Sequence, residues 1–339
     1  MPNLREVAAH AGVSIRTVSN VVHDYPHVAP ATRAKVRQAL EDLDYQPNLA
    51  ARQLRHGRTG MIGLVVPEIA SPYFGELASA LVAAAAARGL TVLIDETGGD
   101  PERERLMLGK SAARLVDGLI FSPWALEPAQ LNRRPGAAPV VLLGERGADG
   151  LLDRVAIDNV TAATQATEHL LAQGRTRIAA IGVQPHLANS TAAQRLAGFR
   201  AALAAGGIVP AAQFEVAVHR LHRADGAAAM HRLLGGDVLP DAAFCFTDQL
   251  ALGAMRTLAD RGRRVPDDVA VIGFDDIEDG RYAVPSLSTV SPAKDEIAAR
   301  ALDCLLARIA SRDEPVRDVV AAHRLVVRES TGGRDARAE

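Results

Sequence analysis

From Leu4 to Leu43 apolar side chains recur at helical spacing. Leu4, Val7, Ala8 and Ala11 fall at i, i+3, i+4 and i+7, the stripe of a short amphipathic helix. Asn3 stands as its cap with Glu6 three residues on, in the manner of a capping box, and Gly12 breaks it. Ser14 is placed to cap a second helix whose apolar face is Val18, Val21 and Val22, and a third follows Pro30 through Val36, Leu40 and Leu43 before Tyr45 and Pro47 stop it. Helix, short glycine-containing turn and helix, closed by a third helix, is the outline of a helix-turn-helix unit.

The polar positions of that unit carry the chemistry. Ile15, Arg16 and Thr17 open the second helix off its apolar face, and Asn20 lies one turn later, where a recognition helix meets base edges. Arginine donates two bonds to guanine, asparagine pairs with adenine, and isoleucine can touch a thymine methyl. An ordinary solvated helix face is the alternative reading. After Pro47, Asn48 caps a possible helix over Leu49 to His56, ended by Gly57. So short a helix does not hold alone in water. Its Leu54, set among Arg52, Arg55 and Arg58, suits a segment that folds on DNA and pushes an apolar wedge into the minor groove.

Beyond Gly60 the period changes. Ten short β-rich runs (MIGLVVP, LTVLID, GLIFSP, PVVLLG, RVAID, RIAAIG, FEVAV, AAFCF, VAVIGF and HRLVV) alternate with alanine-rich helical stretches. That alternation predicts an α/β fold of parallel sheets with helices on both faces, and ten strands call for two doubly wound lobes. In open parallel sheets ligands bind beyond the carboxyl ends of the strands. Ser71, Tyr73 and Phe74 follow the first strand there, Trp124 the third, Asp158 the fifth, Asp248 the eighth, and Asp275 with Asp276 the ninth. Acids and aromatic rings converging on a cleft suit a polyol or sugar. For Trp124 and Asp158, loop packing or a helix cap is an equal reading.

Charge separates the two regions. Residues 1–60 hold eight lysines and arginines against five acids, net +3, whereas the remaining thirty against thirty-five give −5. Basicity therefore concentrates where the helices are. The 339 residues fit two or three folding units, no apolar run approaches a membrane span, and MPNLREVAAH is no secretory signal, so a cytoplasmic chain that meets no membrane is expected. Cys245 and Cys304 stand alone, excluding a zinc pattern.

Enzyme-like signals are weak. Gly109-Lys110-Ser111 imitates the end of a phosphate loop, but the required first glycine is Glu104, and no G-x-G-x-x-G occurs. Asp275 and Asp276 are adjacent on one loop, poorly placed to flank a glycosidic bond. His219 and His222 form an H-x-x-H at a strand end without a third ligand nearby, and read as surface residues. Asn189-Ser190-Thr191 is a glycosylation sequon without an export signal. No enzyme, cofactor or metal is expected.

Taken together, LREVAAHAGVSIRTVSNVV and TRAKVRQALEDLDYQPNLAARQLRHGRTGMIGLVVP closely resemble the LacI/GalR family of transcriptional regulators. The likeness runs from residue 3 to about residue 330, through SPYF, EHLLAQG, QRLAGF, TDQLALGAMR and GFDD. It implies a head over 1–46, a hinge helix over 47–59, and a periplasmic-binding-protein-like effector region over 60–332. Its lobes would be about 60–158 with 292–319 and 159–291 with 320–332. It also implies a homodimer reading a near-palindromic DNA operator, most simply as a repressor, under control of a small-molecule effector, with a sugar expected and a nucleoside or purine the alternative. A solute-binding receptor would lack the head. Ile15, Arg16 and Asn20 fall on base-reading positions and Ser14, Thr17 and Asn48 on backbone-contacting ones; Leu54 is the intercalating leucine. Arg195 and Asp275 match persistent effector contacts, Tyr73 and Phe74 a pair packing on the ligand. Thr247 departs from the asparagine common in sugar-binding members, Asn20 from a frequent arginine, and Ala29 from a frequent capping serine. The tail TGGRDARAE has no apolar heptads for a tetramerising bundle.

Overall fold

The computed structural model describes residues 2–22, 25–45, 58–109, 115–126, 128–131, 138–144, 152–187 and 190–333. The chain divides into two compact units, Met1–Thr59 and Gly60–Glu339. The hinge segment with Asn48 and Leu54, the Lys110-Ser111 pair and Asn189 lie outside the described residues.

In the first unit α1 (Leu4–Ala11), α2 (Ile15–Val22) and α3 (Pro30–Asp42) close on Val7, Ala8, Val18, Val21, Val36 and Ala39. The caps follow the sequence. The Asn3 side chain accepts from the Arg5 and Glu6 amides and donates from Nδ2 to Glu6 Oε1 at 2.8 Å. Gly12 ends α1 in the left-handed region at φ 64°, where a β-carbon would be strained. Ala29 opens α3 with no side-chain cap.

The second unit holds two six-stranded sheets. The first contains β1 (Met61–Val66), β2 (Thr91–Glu96), β3 (Gly118–Phe121), β4 (Val140–Leu143), β5 (Asp153–Ile157) and β11 (Asp318–Ala321), in the order β11-β5-β4-β3-β1-β2. The second contains β6 (Ile178–Val183), β7 (Glu215–Ala217), β8 (Ala242–Cys245), β9 (Ala270–Phe274), β10 (Ser288–Pro292) and β12 (His323–Val326), in the order β12-β10-β9-β8-β6-β7. All pairings are parallel except β10 with the edge strand β12. Their centres are runs such as Val140–Leu143 and Ala270–Phe274, buried on every residue, as sheets covered on both faces require.

The helices in chain order are α4 (Pro72–Ala86), α5 (Pro101–Met107), α6 (Pro128–Leu131), α7 (Asn159–Ala172), α8 (Thr191–Ala205), α9 (Arg223–Leu234), α10 (Asp248–Asp260), α11 (Glu278–Tyr282) and α12 (Lys294–Ala310). The first sheet carries α4 and α12, the second α7 to α10. The chain passes between the lobes after β5, after β10 and between β11 and β12. Among the described residues no helix is long and apolar enough to cross a membrane.

Two strands depart from the sequence pattern. The residues of β10, STVSP, include a single large aliphatic side chain yet are buried throughout. Their hydroxyls are satisfied internally: Thr289 donates to Asp248, Ser291 to Asp276 and Ser288 to the Arg328 carbonyl. Strand β11 is four residues at a sheet edge with three of its positions open to solvent. Strand β10 lacks the apolar signature of a strand because it buries polar groups, and the valines of β11 make a run too short to stand out.

Candidate recognition surface and ligand cleft

On the head, the start of α2 presents what the sequence placed there. Ile15 is 45% exposed, Arg16 is exposed, and Thr17 and Asn20 are half-buried. The Ser14 hydroxyl accepts from the Thr17 amide at 3.1 Å and lies 2.8 Å from Thr17 Oγ1, so Ser14 caps α2 and Thr17 ties the first turn to that cap. An exposed isoleucine beside an arginine on a rigid helix end is a surface that can touch base edges.

In the second unit the ends of β1, β5, β8 and β9 border a cleft that encloses about 920 Å³ counting its open mouth. Of the expected residues, Ser71, Tyr73, Phe74, Trp124, Arg195, Thr247 and Asp275 line it. At its floor Arg195, from α8, donates from Nε to Asn159 Oδ1 at 3.0 Å and from Nη1 to the Phe246 carbonyl. Its guanidinium lies 3.4 Å above the Phe274 ring centroid, and Nη2 is 3.9 Å from Asp275 Oδ1. Cation–π contact and hydrogen bonds thus fix the fork in place.

Asp275 is 6% exposed and its backbone sits at φ 115°, a strained setting for a residue with a β-carbon. Burial pushes its carboxyl up to about 7, against the lowering pull of Arg195 and Lys294. Tyr73 and Phe74 meet edge to face at 5.2 Å in the first turn of α4. Burial, and next the charge of Asp275, raise the Tyr73 phenol well above its usual range, so it stays protonated and can donate. Thr247 caps α10, accepting from the Leu250 amide and donating to the Leu221 carbonyl, so its hydroxyl is engaged by the protein.

Three of the acids expected at strand ends do not line the cavity. Asp158 caps α7, accepting from the Thr161 amide at 2.9 Å and hydroxyl at 2.6 Å, and is exposed; the helix-cap reading describes it. Asp248 is fully buried behind the cleft, receiving the Thr289 hydroxyl at 2.6 Å and the Ile277 amide at 2.9 Å. Burial and the nearby charge of Asp275 push its carboxyl far up. Asp276 is likewise internal. Burial works to raise its carboxyl, but bonds from Arg328 and Ser291 hold it below the ordinary range.

Around the cleft stand groups that the sequence did not mark as part of a ligand site. Asn159 orients Arg195, and Phe274 supports it from the position just before Asp275. His222 is half-buried and bonds Glu68 at 2.7 Å across the lobes, which corrects its reading as a surface residue; His219 is exposed. Glu104, the position that breaks the phosphate-loop pattern, is buried and accepts the backbone amides of Trp124, Ala125 and Leu126. It fixes the loop that carries Trp124. Among the described residues no group of three His, Cys, Asp or Glu side chains could hold a metal ion.

A helix-turn-helix head followed by a two-lobed ligand cleft defines a ligand-responsive DNA-binding regulator. A family model described as bacterial regulatory proteins of the lacI family matches residues 3–48, and a periplasmic binding protein-like domain matches residues 167–331. The chain is 36% identical over 345 residues to the ribose operon repressor of Halalkalibacterium halodurans, covering 98% of each. It is 32% identical over 333 residues to the transcriptional repressor PurR of Mannheimia succiniciproducens, covering 97% of this chain and 98% of that one. A solved LacI-family transcriptional regulator of Sanguibacter keddieii is 43% identical, with a TM-score of 0.76, over 82% of this chain and 100% of that one. The chain belongs to the LacI family of bacterial transcriptional regulators.

Proposed function

We propose that this regulator represses transcription as a homodimer on a near-palindromic operator, and that a small sugar in the cleft sets its operator affinity. The observation that carries the sugar reading is the buried pair of Arg195 and Asp275, a fixed donor fork and an acceptor beside the rings of Tyr73 and Phe74. Vicinal hydroxyls match the pair and an apolar sugar face matches the rings. Similarity to a ribose operon repressor agrees with this reading. Similarity to PurR makes a purine the second reading.

Ile15, Arg16 and Asn20 read bases; Ser14, Thr17 and Asn48 meet the backbone; Leu54 enters the minor groove. The dimer reading draws support from edge strand β2, whose Leu93 and Ile94 are 42% and 44% exposed, an apolar edge that soluble monomers avoid. The chain works by reversible binding, without turnover of its effector. The test is fluorescence anisotropy of a labelled operator with the purified chain, with and without sugars and purine bases. A sugar that shifts operator affinity, and loses that effect with Arg195→Ala while operator binding persists, supports the reading. A response to purines alone overturns it.

A further inference from the structure

Beside the inner cleft lies a second chamber in the same unit, enclosing about 1090 Å³ counting its mouth. The two share Glu68, Trp124 and His222 in their walls. Glu68 follows β1 and His222 precedes α9, so their 2.7 Å bond spans the lobes where the chambers meet. Trp124 is held there from two sides. Its amide is fixed by buried Glu104, and its ring packs on Gly99, where an added β-carbon would lie 3.2 Å from the indole.

We infer that the effector is a two-ring carbohydrate, with one ring held by Arg195 and Asp275 and the second stacked on Trp124 in the outer chamber. This rests on the sugar reading above. The outer chamber sets the Trp124 indole among Glu96, Gln184, Arg220 and the paired rings of His186 and His219, with Leu187 beside them. Such surroundings suit a second pyranose, apolar on one face and hydroxylated around its edge. Glu68 and His222 stand where the linkage between the rings passes, and their oxygen and ring nitrogen can bond the hydroxyls flanking it.

Trp124 is the single tryptophan of the chain, so intrinsic fluorescence reports on this chamber directly. The experiment titrates the full chain with ribose, glucose and galactose, with cellobiose, maltose and lactose, and with adenosine and inosine, reading emission and calorimetric affinity. The expected result is a disaccharide bound at least about tenfold more tightly than its component monosaccharides, with a shift in Trp124 emission. Trp124→Ala should then lower the ratio of disaccharide to monosaccharide affinity by about tenfold, with Trp124→Phe recovering most of it and His219→Ala lowering it less. A monosaccharide bound as tightly as any disaccharide overturns the two-ring inference and leaves the sugar reading standing. Binding of nucleosides alone, or of no sugar in the panel, overturns both.

Discussion

Asp275 shows how much of the cleft rests on one side chain. Its carboxyl is buried, strained at φ 115°, and raised from 3.8 to about 7. A carboxyl whose folded value lies above its unfolded one holds its proton more tightly when folded. The ligand-free chain therefore loses stability as pH rises from 3.8 toward about 7. Sugar hydroxyls donate to the anion and favour it, so the sign reverses for binding. Effector affinity is expected to rise about tenfold between roughly pH 6 and pH 8, with a proton released on binding. Calorimetry in buffers of different ionisation enthalpy measures both. Asp275→Asn should weaken binding and abolish the pH dependence; a dependence that survives it would assign the proton elsewhere. The importance of Asp275 was readable from its position after a strand, but the same position is held by Asp158 and Asp248. Only their partners distinguish them, a helix cap for one and Thr289 for the other.

At the scale of the element, caps and close helix contacts were legible to different degrees. Asn3, Ser14 and Gly12 act where their residue types placed them, since a cap is a local matter of a few consecutive residues. Ala29 leaves the start of α3 without a side-chain acceptor. Ala29→Ser is expected to stabilise that helix by about 1 kcal/mol, seen as slower hydrogen exchange of α3 amides in the full chain. Contacts between helices were not legible. Gly253 on α10 faces α9 so closely that an added β-carbon would lie 1.9 Å from the Arg223 carbonyl oxygen. Alanine gains about 1 kcal/mol of helix propensity there, yet the helices must part. Gly253→Ala is therefore expected to destabilise the effector unit by about 1–3 kcal/mol, measured as a lower urea midpoint. An unchanged midpoint would show that α9 and α10 can separate at no cost. In β10 too, burial of STVSP follows from partners 15 to 41 residues away in Asp276 and Asp248.

At the scale of the whole molecule, control requires the ligand cleft to bias DNA binding, a coupling carried by an element with two arrangements. The proposed carrier is the hinge around Leu54, whose sequence is too short to hold a helix unaided. Leu54→Ala is expected to weaken operator binding by at least about tenfold, by anisotropy, while the calorimetric affinity for the effector stays as it was. Equal loss of both would mean that the substitution damages the fold instead. Substitution of Arg16 by Ala should relax preference at one base step, whereas loss of a phosphate contact would weaken all sequences alike.

The sequence by itself determined the elements and their class: three helices with the caps of the first two, ten of the twelve strands among the described residues, and the switch from helical to strand periodicity near Gly60. These are written in consecutive side chains, because periodicity and capping act within a turn or a strand. Only the tertiary structure decided which acids face the cleft, that Phe274 and Asn159 hold Arg195, and that His222 meets Glu68 across 154 positions of chain. Those pairings depend on strand order and on the three passages between lobes, which bring distant residues together. No local pattern records them, since each partner alone is an ordinary polar or aromatic residue at the end of a strand or helix.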